Sequence, residues 1–492
     1  MSKTTEKRKS RTAAGTSPDD VDRLPRTPKG WRTREKLIEA AIVVINRNGY
    51  SAATVEEIVK QAKLPIGSFY RHFKNRVDIT HSALEQVAAE YRQGVFSMSP
   101  RNALFQREVV VHNLLYETLE RHARFLSCYF VCRAEDEVLL DFLKGETKTF
   151  VWDYYSFVQK APGNEQLAEE EFDALGYALV GISENSLYRL FSGLDNYAGD
   201  IFSHRPLMVG LMSELRYRAL TLKDPDTGKA PHYWTLSLSE PISAKARNQL
   251  ISEAFSPFEE ERVGVAAPSP RRADSKATLN RIESSTLERL SNRNLKDVKL
   301  SDIEKASGVT RGAIYYHYTD KNTLVRKVIV DRLQKLEEDS PPPSADAPYG
   351  AVFETIRPFV ATFAEAPGLL RAIGDLETDD ETIATAYRAY RAALARRLAG
   401  IFLAFGRART LAPETLRFAT FFIVSMMERF VRDRFVLSTP ALEKATPKTE
   451  DATRILAAII CRMAWRLDPE GGALLPLLIE EAEPKGARAR SA

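Results

Sequence analysis

Cysteine is scarce in this 492-residue chain, with Cys128, Cys132 and Cys461 the complete set. Three thiols cannot build a disulfide framework, so a reducing interior suits them. Cys128 and Cys132 stand four apart on a predicted helix, and no further ligand stands at metal-site spacing, so they read as buried core thiols. Long hydrophobic runs are missing too. The longest charge-free stretches, such as Phe418 to Met427, are about half a membrane span. The basic N-terminus has no apolar segment behind it that would make a signal peptide. The expectation is a soluble, cytoplasmic protein with no membrane partner. There is also no glycine-rich phosphate loop, no nucleophile elbow and no histidine-rich metal helix. Seven histidines are scattered, and His112 and His122 lie ten apart, off any shared helix face. The expectation is therefore a protein that is not an enzyme, with neither cofactor nor metal.

What is present is a repeat. Gly67-Ser68-Phe69-Tyr70-Arg71-His72-Phe73 returns 245 positions later as Gly312-Ala313-Ile314-Tyr315-Tyr316-His317-Tyr318. The surroundings keep the same register: Ile58 matches Ile303, Lys60 matches Lys305, Leu64 matches Val309 and Ile79 matches Leu324. A fixed-period repeat sets the domain plan, and two domains of ~240 residues are each large enough to bury a full core.

Charge follows the repeat. The net charge is +4, yet residues 31–80 carry nine basic against five acidic side chains, and residues 271–330 carry thirteen against seven. Residues 1–30 add eight against four. Positive charge gathers on the repeated units and the N-terminal tail, as a surface that meets a polyanion requires.

The first copy reads as a chain of short helices. Leu37, Ala41, Val44 and Ile45 recur at 3.6-residue spacing within Trp31 to Asn48, and Asn48-Gly49 stops that helix. Thr54 and Glu57 form a capping box for a helix over Val55 to Ala62. Lys63-Leu64-Pro65 turns the chain, with Pro65 suited to a first helical position. The third helix carries Phe69 and Phe73 on one face and leaves Ser68, Tyr70, Arg71 and His72 pointing away from it. Asn75, with Asp78 three residues on, caps a fourth helix. Two short helices joined by a tight turn, the second with small and polar exterior positions, give helix-turn-helix geometry. Gly67 and Gly312 keep that turn slim for close approach to a duplex.

At these residues the chain resembles the tetracycline-repressor (TetR/AcrR) family of bacterial transcription regulators. The resemblance rests on Leu64-Pro-x-Gly-Ser-Phe-Tyr-x-His-Phe-x-Asn-Arg and on Gly308-Val-Thr-Arg-Gly-Ala-Ile-Tyr-x-His-Tyr-x-Asp-Lys, and it covers residues 31–80 and 276–325. It implies an all-α chain of two tandem units, each a three-helix DNA-binding head followed by a helical body for ligand binding and dimerisation. By position, Pro65, Ile66 and Ser68 would face bases, with Tyr70, His72 and Arg76 on phosphates. In the second copy Thr310, Arg311 and Ala313 would face bases, with Tyr315, His317 and Lys321 on phosphates. Arg311 can read guanine through O6 and N7, whereas Ile66 at the matching position offers only apolar contact. Lys299 stands where the first copy has Thr54, and Glu304 where a small or apolar residue is usual, so a less well-capped second head is expected.

Each head leads into a helical body. Phe105 to Phe157 is rich in aromatics (Phe125, Tyr129, Phe130, Trp152, Tyr155), and Phe353 to Phe405 plays that part in the second copy (Phe359, Phe363, Tyr387, Tyr390, Phe402). The resemblance implies an effector cavity in each body. Tyr129, Trp152, Tyr155, Glu184 and Asn185 in the first, with Tyr390, Phe422, Met426 and Glu428 in the second, are its candidates and suggest a largely apolar small molecule with a polar handle. Two helices close each body, at Phe172 to Phe191 and Pro206 to Leu222, then at Thr415 to Phe435 and Ala452 to Leu467. In the resembled family such a pair joins its counterpart in a four-helix dimer interface. Here the counterpart is on the same chain, which favours an intramolecular pseudo-dimer over a homodimer of chains.

The expected organisation is a disordered basic tail (1–30), a first head (31–80) and a first body (81–222). A linker (223–270), a second head (271–325), a second body (326–470) and a C-terminal tail (471–492) follow. A short helix from Ser243 to Phe255 is expected inside the linker, and Ser340-Pro-Pro-Pro-Ser is expected to break the second head from its body. The function expected is a sequence-specific regulator that binds double-stranded DNA at an asymmetric operator, a repressor released by its effector. The alternative is a non-specific nucleic-acid-binding or protein-interaction scaffold with one degenerate head.

Overall fold

The computed structural model describes residues 24–50, 52–96, 104–131, 141, 144–151, 169–196, 203–221, 223–229, 231–238, 242–256, 273–293, 295–340, 342–407 and 411–467. They are overwhelmingly helical, with one two-residue antiparallel strand pair, Ser237–Leu238 (β1) against Gly406–Arg407 (β2). The chain divides into two compact units, one of residues 1–90 with 124–128, the other of residues 91–123 with 129–492.

In the first unit, α1 (Pro28–Asn48) begins three residues before the expected start. The Thr27 hydroxyl accepts from the Gly30 amide at 3.1 Å, and Pro28 takes the first helical position. Its buried face is Leu37, Ala41, Val44 and Ile45, and Gly49 at φ 81° ends it. α2 (Val55–Ala62) carries the expected reciprocal cap. The Glu57 amide donates to the Thr54 hydroxyl at 3.2 Å, and the Thr54 amide donates to the Glu57 carboxylate at 3.2 Å. α3 (Ile66–His72) packs Phe69 and Phe73 into the core with Ile58. α4 (Arg76–Phe96) is capped by Asn75, which accepts from the Asp78 amide at 3.0 Å. A segment of α5 (Leu104–Val131) rejoins this unit, where the Phe125 amide donates to Asn46 Oδ1 at 3.1 Å.

The second unit holds the first body apart from residues 81–90 and 124–128, the second head and the second body. The first body includes α6 (Glu169–Phe191) and α7 (Arg205–Thr221). Beyond α7 the chain does not hang free. Residues 231–238 run across α7, where Glu214 accepts from the amides of Tyr233 at 2.8 Å and Trp234 at 2.6 Å. Tyr233 lies so close that a Cβ on Gly210 would stand 2.3 Å from its ring. Trp234 is fully buried, and its indole N–H donates to the Ala464 carbonyl at 3.1 Å. α8 (Ala244–Phe255) follows, opened by the Ser243 hydroxyl.

The second head is α9 (Ala273–Asn292), a 3-10 turn (Leu295–Asp297), α10 (Leu300–Ser307), α11 (Arg311–His317) and the start of α12 (Lys321–Glu338). Its body comprises α13 (Pro348–Glu365), α14 (Pro367–Leu376), α15 (Glu381–Phe405), α16 (Pro413–Val431) with a π-helical turn (Arg432–Val436), α17 (Pro440–Ala445) and α18 (Thr449–Trp465). α6 packs along α16 and touches α17, α7 packs against α18 and α16, and α8 lies on α15 and α16. Of the expected tails, residues 1–23 and 471–492 lie outside the described residues, as do residues 257–270 of the expected linker. Residues 28–30, expected in the disordered tail, form the first turn of α1.

Candidate nucleic-acid interface

In the first head the turn is Lys63 in the left-handed region at φ 55°, then Leu64 and Pro65. Pro65 is the residue before the helix instead of its first turn, at φ −71° and ψ 150°, because its own ring fixes φ while ψ remains extended. It is exposed, as are Ile66 and Tyr70, at 45% and 53%, and Ser68 is half-buried. A row of exposed apolar and hydroxyl groups on a helix whose other face is Phe69 and Phe73 is available to a groove.

In the second head, Gly308 at φ 63° makes the turn and the Thr310 hydroxyl caps α11 by accepting from the Ala313 amide at 3.4 Å. Glu304, unexpected at its position, accepts from the Arg311 amide at 3.0 Å, so it too satisfies a free donor of the recognition helix. The Arg311 guanidinium stands 5.7 Å from the Tyr315 ring centroid. Tyr315 is 44% exposed and Tyr316 83%, Ala313 and His317 are half-buried, and Thr310 and Arg311 are exposed. Tyr316 was not singled out from the sequence. Its signal was an aromatic where the first copy has Arg71.

Lys299 has no side-chain acceptor to offer the start of α10, although its carbonyl accepts from the Asp302 amide at 3.0 Å. Half of the reciprocal cap survives, since the Lys299 amide donates to Asp302 at 3.3 Å, and Arg293 reaches the same carboxylate at 3.1 Å.

Three phosphate candidates point elsewhere. Arg76 donates to the carbonyls of Tyr50 at 2.9 Å and Ala53 at 3.0 Å, and its guanidinium stacks 4.4 Å from the Tyr50 ring centroid. Lys321, at the matching position, donates to Leu295 at 3.3 Å and Val298 at 3.1 Å. In both heads the cation fastens the loop that precedes the second helix. His72 is buried beside Arg34 and Arg71; burial, then those like charges, hold its imidazole below the ordinary value, so it is neutral at physiological pH. It faces the core and not outward, because at its place in a seven-residue helix it shares the stripe of Phe69.

The effector candidates separate. Trp152, Tyr155 and the side chain of Tyr129 lie outside the described residues. Tyr390 is buried and stacks on Phe359 at 6.3 Å, and Phe422 stacks on Phe418 at 6.0 Å. Glu184, Asn185, Met426 and Glu428 come together where α6 crosses α16. There a Cβ on Gly181 would meet the Met426 Cα at 3.1 Å, and Asn185 donates to the Ser425 carbonyl at 2.9 Å. Around that crossing lies a buried charge cluster. Arg189 binds Asp195 and Glu377, each at 3.0 Å, and Arg391 binds Asp195 at 3.0 Å as well as Glu428. The first body has a polar core of its own, in which buried His112 meets Ser213 at 2.9 Å and Arg216 at 3.1 Å. Burial and the Arg216 charge hold that imidazole well below its ordinary value.

The family model described as bacterial regulatory proteins, tetR family, matches residues 37–83 and again residues 284–328. The chain is 33% identical over 75 residues to the transcriptional regulator AcuR of Cereibacter sphaeroides, covering 14% of this chain and 34% of the relative. It is 36% identical over 70 residues to the uncharacterised HTH-type transcriptional regulator TtgW of Pseudomonas putida, covering 14% and 52%. It is 24% identical over 116 residues to the probable acrEF/envCD operon repressor of Escherichia coli K12, covering 22% and 53%. The chain thus matches between about a third and a half of the length of these relatives. Among the described residues no helix is long and apolar enough to cross a membrane.

Proposed function

Because the chain belongs to the TetR family of bacterial regulatory proteins and carries that family's N-terminal unit twice, we propose that it is a cytoplasmic DNA-binding transcriptional regulator whose two halves act together as a pseudo-dimer. The observation that carries the pseudo-dimer is the packing of α6 and α7 on α16 and α18 within one chain. The reading that both heads bind DNA rests on two exposed recognition-helix faces of different chemistry. The first offers Pro65, Ile66 and Ser68 to bases and Tyr70 to phosphate; the second offers Thr310, Arg311 and Ala313 to bases, with Tyr315 and His317 on phosphate. Arg76, His72 and Lys321 are reassigned to holding the heads in shape. Unlike faces call for unlike half-sites, about one helical turn or ~34 Å apart. Occlusion of a promoter makes the protein a repressor. A small, largely apolar effector would release it by preferring one spacing of the heads over another.

The test is selection of bound fragments from the source genome with purified protein. Two dissimilar half-sites one turn apart are expected. A palindrome would point to pairing between chains through one dominant head, and loss of all enrichment with binding still salt-sensitive would leave a non-specific scaffold. In the selected site Arg311→Ala should relax discrimination by ~1–3 kcal/mol, whereas Tyr70→Phe should weaken all sequences alike.

A further inference from the structure

The contact between the halves is not self-complementary. Residues of α6 and α16 correspond at an offset of 244, so Gly181 matches Ser425, Asn185 matches Arg429 and Arg189 matches Asp433. The crossing obeys that correspondence, since Asn185 meets Ser425 on one side while Arg429 meets Gly181 on the other. The residues at those places are nevertheless different in kind.

Steric fit comes first. A Cβ on Gly181 would lie 2.8 Å from the Arg429 Cβ, so Arg429 can approach only a residue without one. In a pairing of two second halves Ser425 would stand there and bring that Cβ, twice over. Charge acts the same way. Arg189 from the first half is fully buried and lies between Asp195, Glu377 and, at 3.6 Å, Glu428. In a pairing of two second halves its place would be taken by Asp433, a carboxylate facing Glu377 and Glu428. Asn185 donates to the carbonyl of Ser425, whose hydroxyl accepts from Arg391 at 2.8 Å, and its place would be taken by the guanidinium-bearing Arg429. Asp433 would arrive bonded to its own Arg429, at 2.7 Å. Glu377 and Glu428 would still lose the Arg189 guanidinium that lies between them, and loss of a buried partner disfavours an assembly.

We propose that the α16 face of the second half accepts the α6 of a first half and rejects a second copy of itself. The inference rests on the pairing of halves stated under the proposed function. It makes the chain a self-contained binding unit, because the surface that would recruit another chain is both occupied and mismatched to its own kind. Gly181 and Arg189 are the two residues that carry the selectivity.

The test disables the first half and then supplies its two features to the second, in the full-length chain. Arg189→Glu sets a carboxylate against Asp195, Glu377 and Glu428 and weakens pairing within the chain. Association between chains is measured by sedimentation over a range of concentrations and by co-purification of two differently tagged chains. R189E is expected to stay at the mass of one chain, 55.3 kDa, although its interface is open. Adding S425G and D433R, which give the second half the glycine and the arginine, is expected to tighten association between chains by at least about tenfold. Equal association of R189E with and without those two changes would overturn the selectivity. A wild-type chain that already forms stable dimers would overturn the pairing within one chain, and the selectivity with it. Should R189E lose its helical circular dichroism, Arg189→Met takes its place in both arms with the same two outcomes.

Discussion

Arg218 and Arg462 make the same hydrogen bond in opposite directions: Arg218 donates to the Ala464 carbonyl at 3.0 Å, and Arg462 donates to the Ala219 carbonyl at 3.0 Å. Each side chain is buried and reaches the end of the helix that the other occupies. Reciprocity of this type belongs to two-fold contacts, and here α7 and α18 of one chain supply both partners. Arg218 also donates to Trp234 at 3.1 Å and Leu236 at 2.9 Å, so it fastens the crossing segment as well. Arg218→Met and Arg462→Met keep much of the aliphatic stem and leave buried carbonyls unsatisfied. Each should lower stability by ~2–3 kcal/mol in denaturant titration. Costs near zero would mean that the contact is incidental.

At Gly368 the start of α14 lies against the end of α9 in the second head. A Cβ there would sit 1.7 Å from the Leu290 carbonyl oxygen and 3.0 Å from the Ser291 carbonyl carbon. Both are backbone atoms, so no rotamer change relieves the clash. Gly368→Ala should push α14 away from α9, costing ~2 kcal/mol or more and changing the operator affinity contributed by the second head. Unchanged thermal stability and unchanged binding would show that α14 can shift freely.

The start of α10 is under-capped, and the first head supplies the remedy. Lys299→Thr would give the Asp302 amide a hydroxyl acceptor while Asp302 keeps its bond to the residue 299 amide. The variant should stabilise the second head by ~1 kcal/mol. Hydrogen exchange of the α10 amides reads this directly, with slower exchange expected and no change counting against it.

Local signals made much of this fold legible. Thr54 with Glu57, Asn48-Gly49 and Asn75 with Asp78 act over three or four residues, and each forms as read. The register of the two heads was also visible, because Phe69 and Ile314 must fill equivalent cores. Side-chain direction was not. Arg76 and Lys321 look like phosphate ligands in the sequence. Their targets are carbonyls some 23 and 26 residues upstream, a pairing that no local pattern records. Glu184, Asn185, Met426 and Glu428 are cavity candidates in the sequence because the family resemblance implies an effector cavity in each body. Glu184 and Asn185 instead meet Arg429 and Ser425 of the other half, about 240 residues away, and a Cβ on Gly181 would stand 3.1 Å from the Met426 Cα. The role of residues 231–238 was equally hidden, since it depends on Glu214 and Arg218 of a helix already past.

Asp173 gives the assembly a pH dependence of definite sign. It is buried near the start of α6, one carboxylate oxygen has no hydrogen-bond partner, and α17 packs against that helix. Burial, then the negative charge of Glu169, raises its pKa from 3.8 to about 6, with Glu170 adding to the shift and Lys148 and Lys444 opposing it. Lys444 is held mainly by Glu170, at 2.6 Å, and so does little for Asp173. The folded protein therefore keeps a proton that the unfolded chain releases between pH 3.8 and about 6. Stability contributed by this site falls as pH rises through that window, and the fold carries an unfavourable buried charge above it. Asp173→Asn removes the titration. The variant should exceed the wild type by ~1 kcal/mol at neutral pH, a figure reduced for partial screening, and should match it near pH 4. Melting temperatures of both proteins across that range decide the matter. A difference that stays constant with pH would assign the effect to packing, and a variant less stable than the wild type at neutral pH would mean that the carboxylate has a cationic partner in solution.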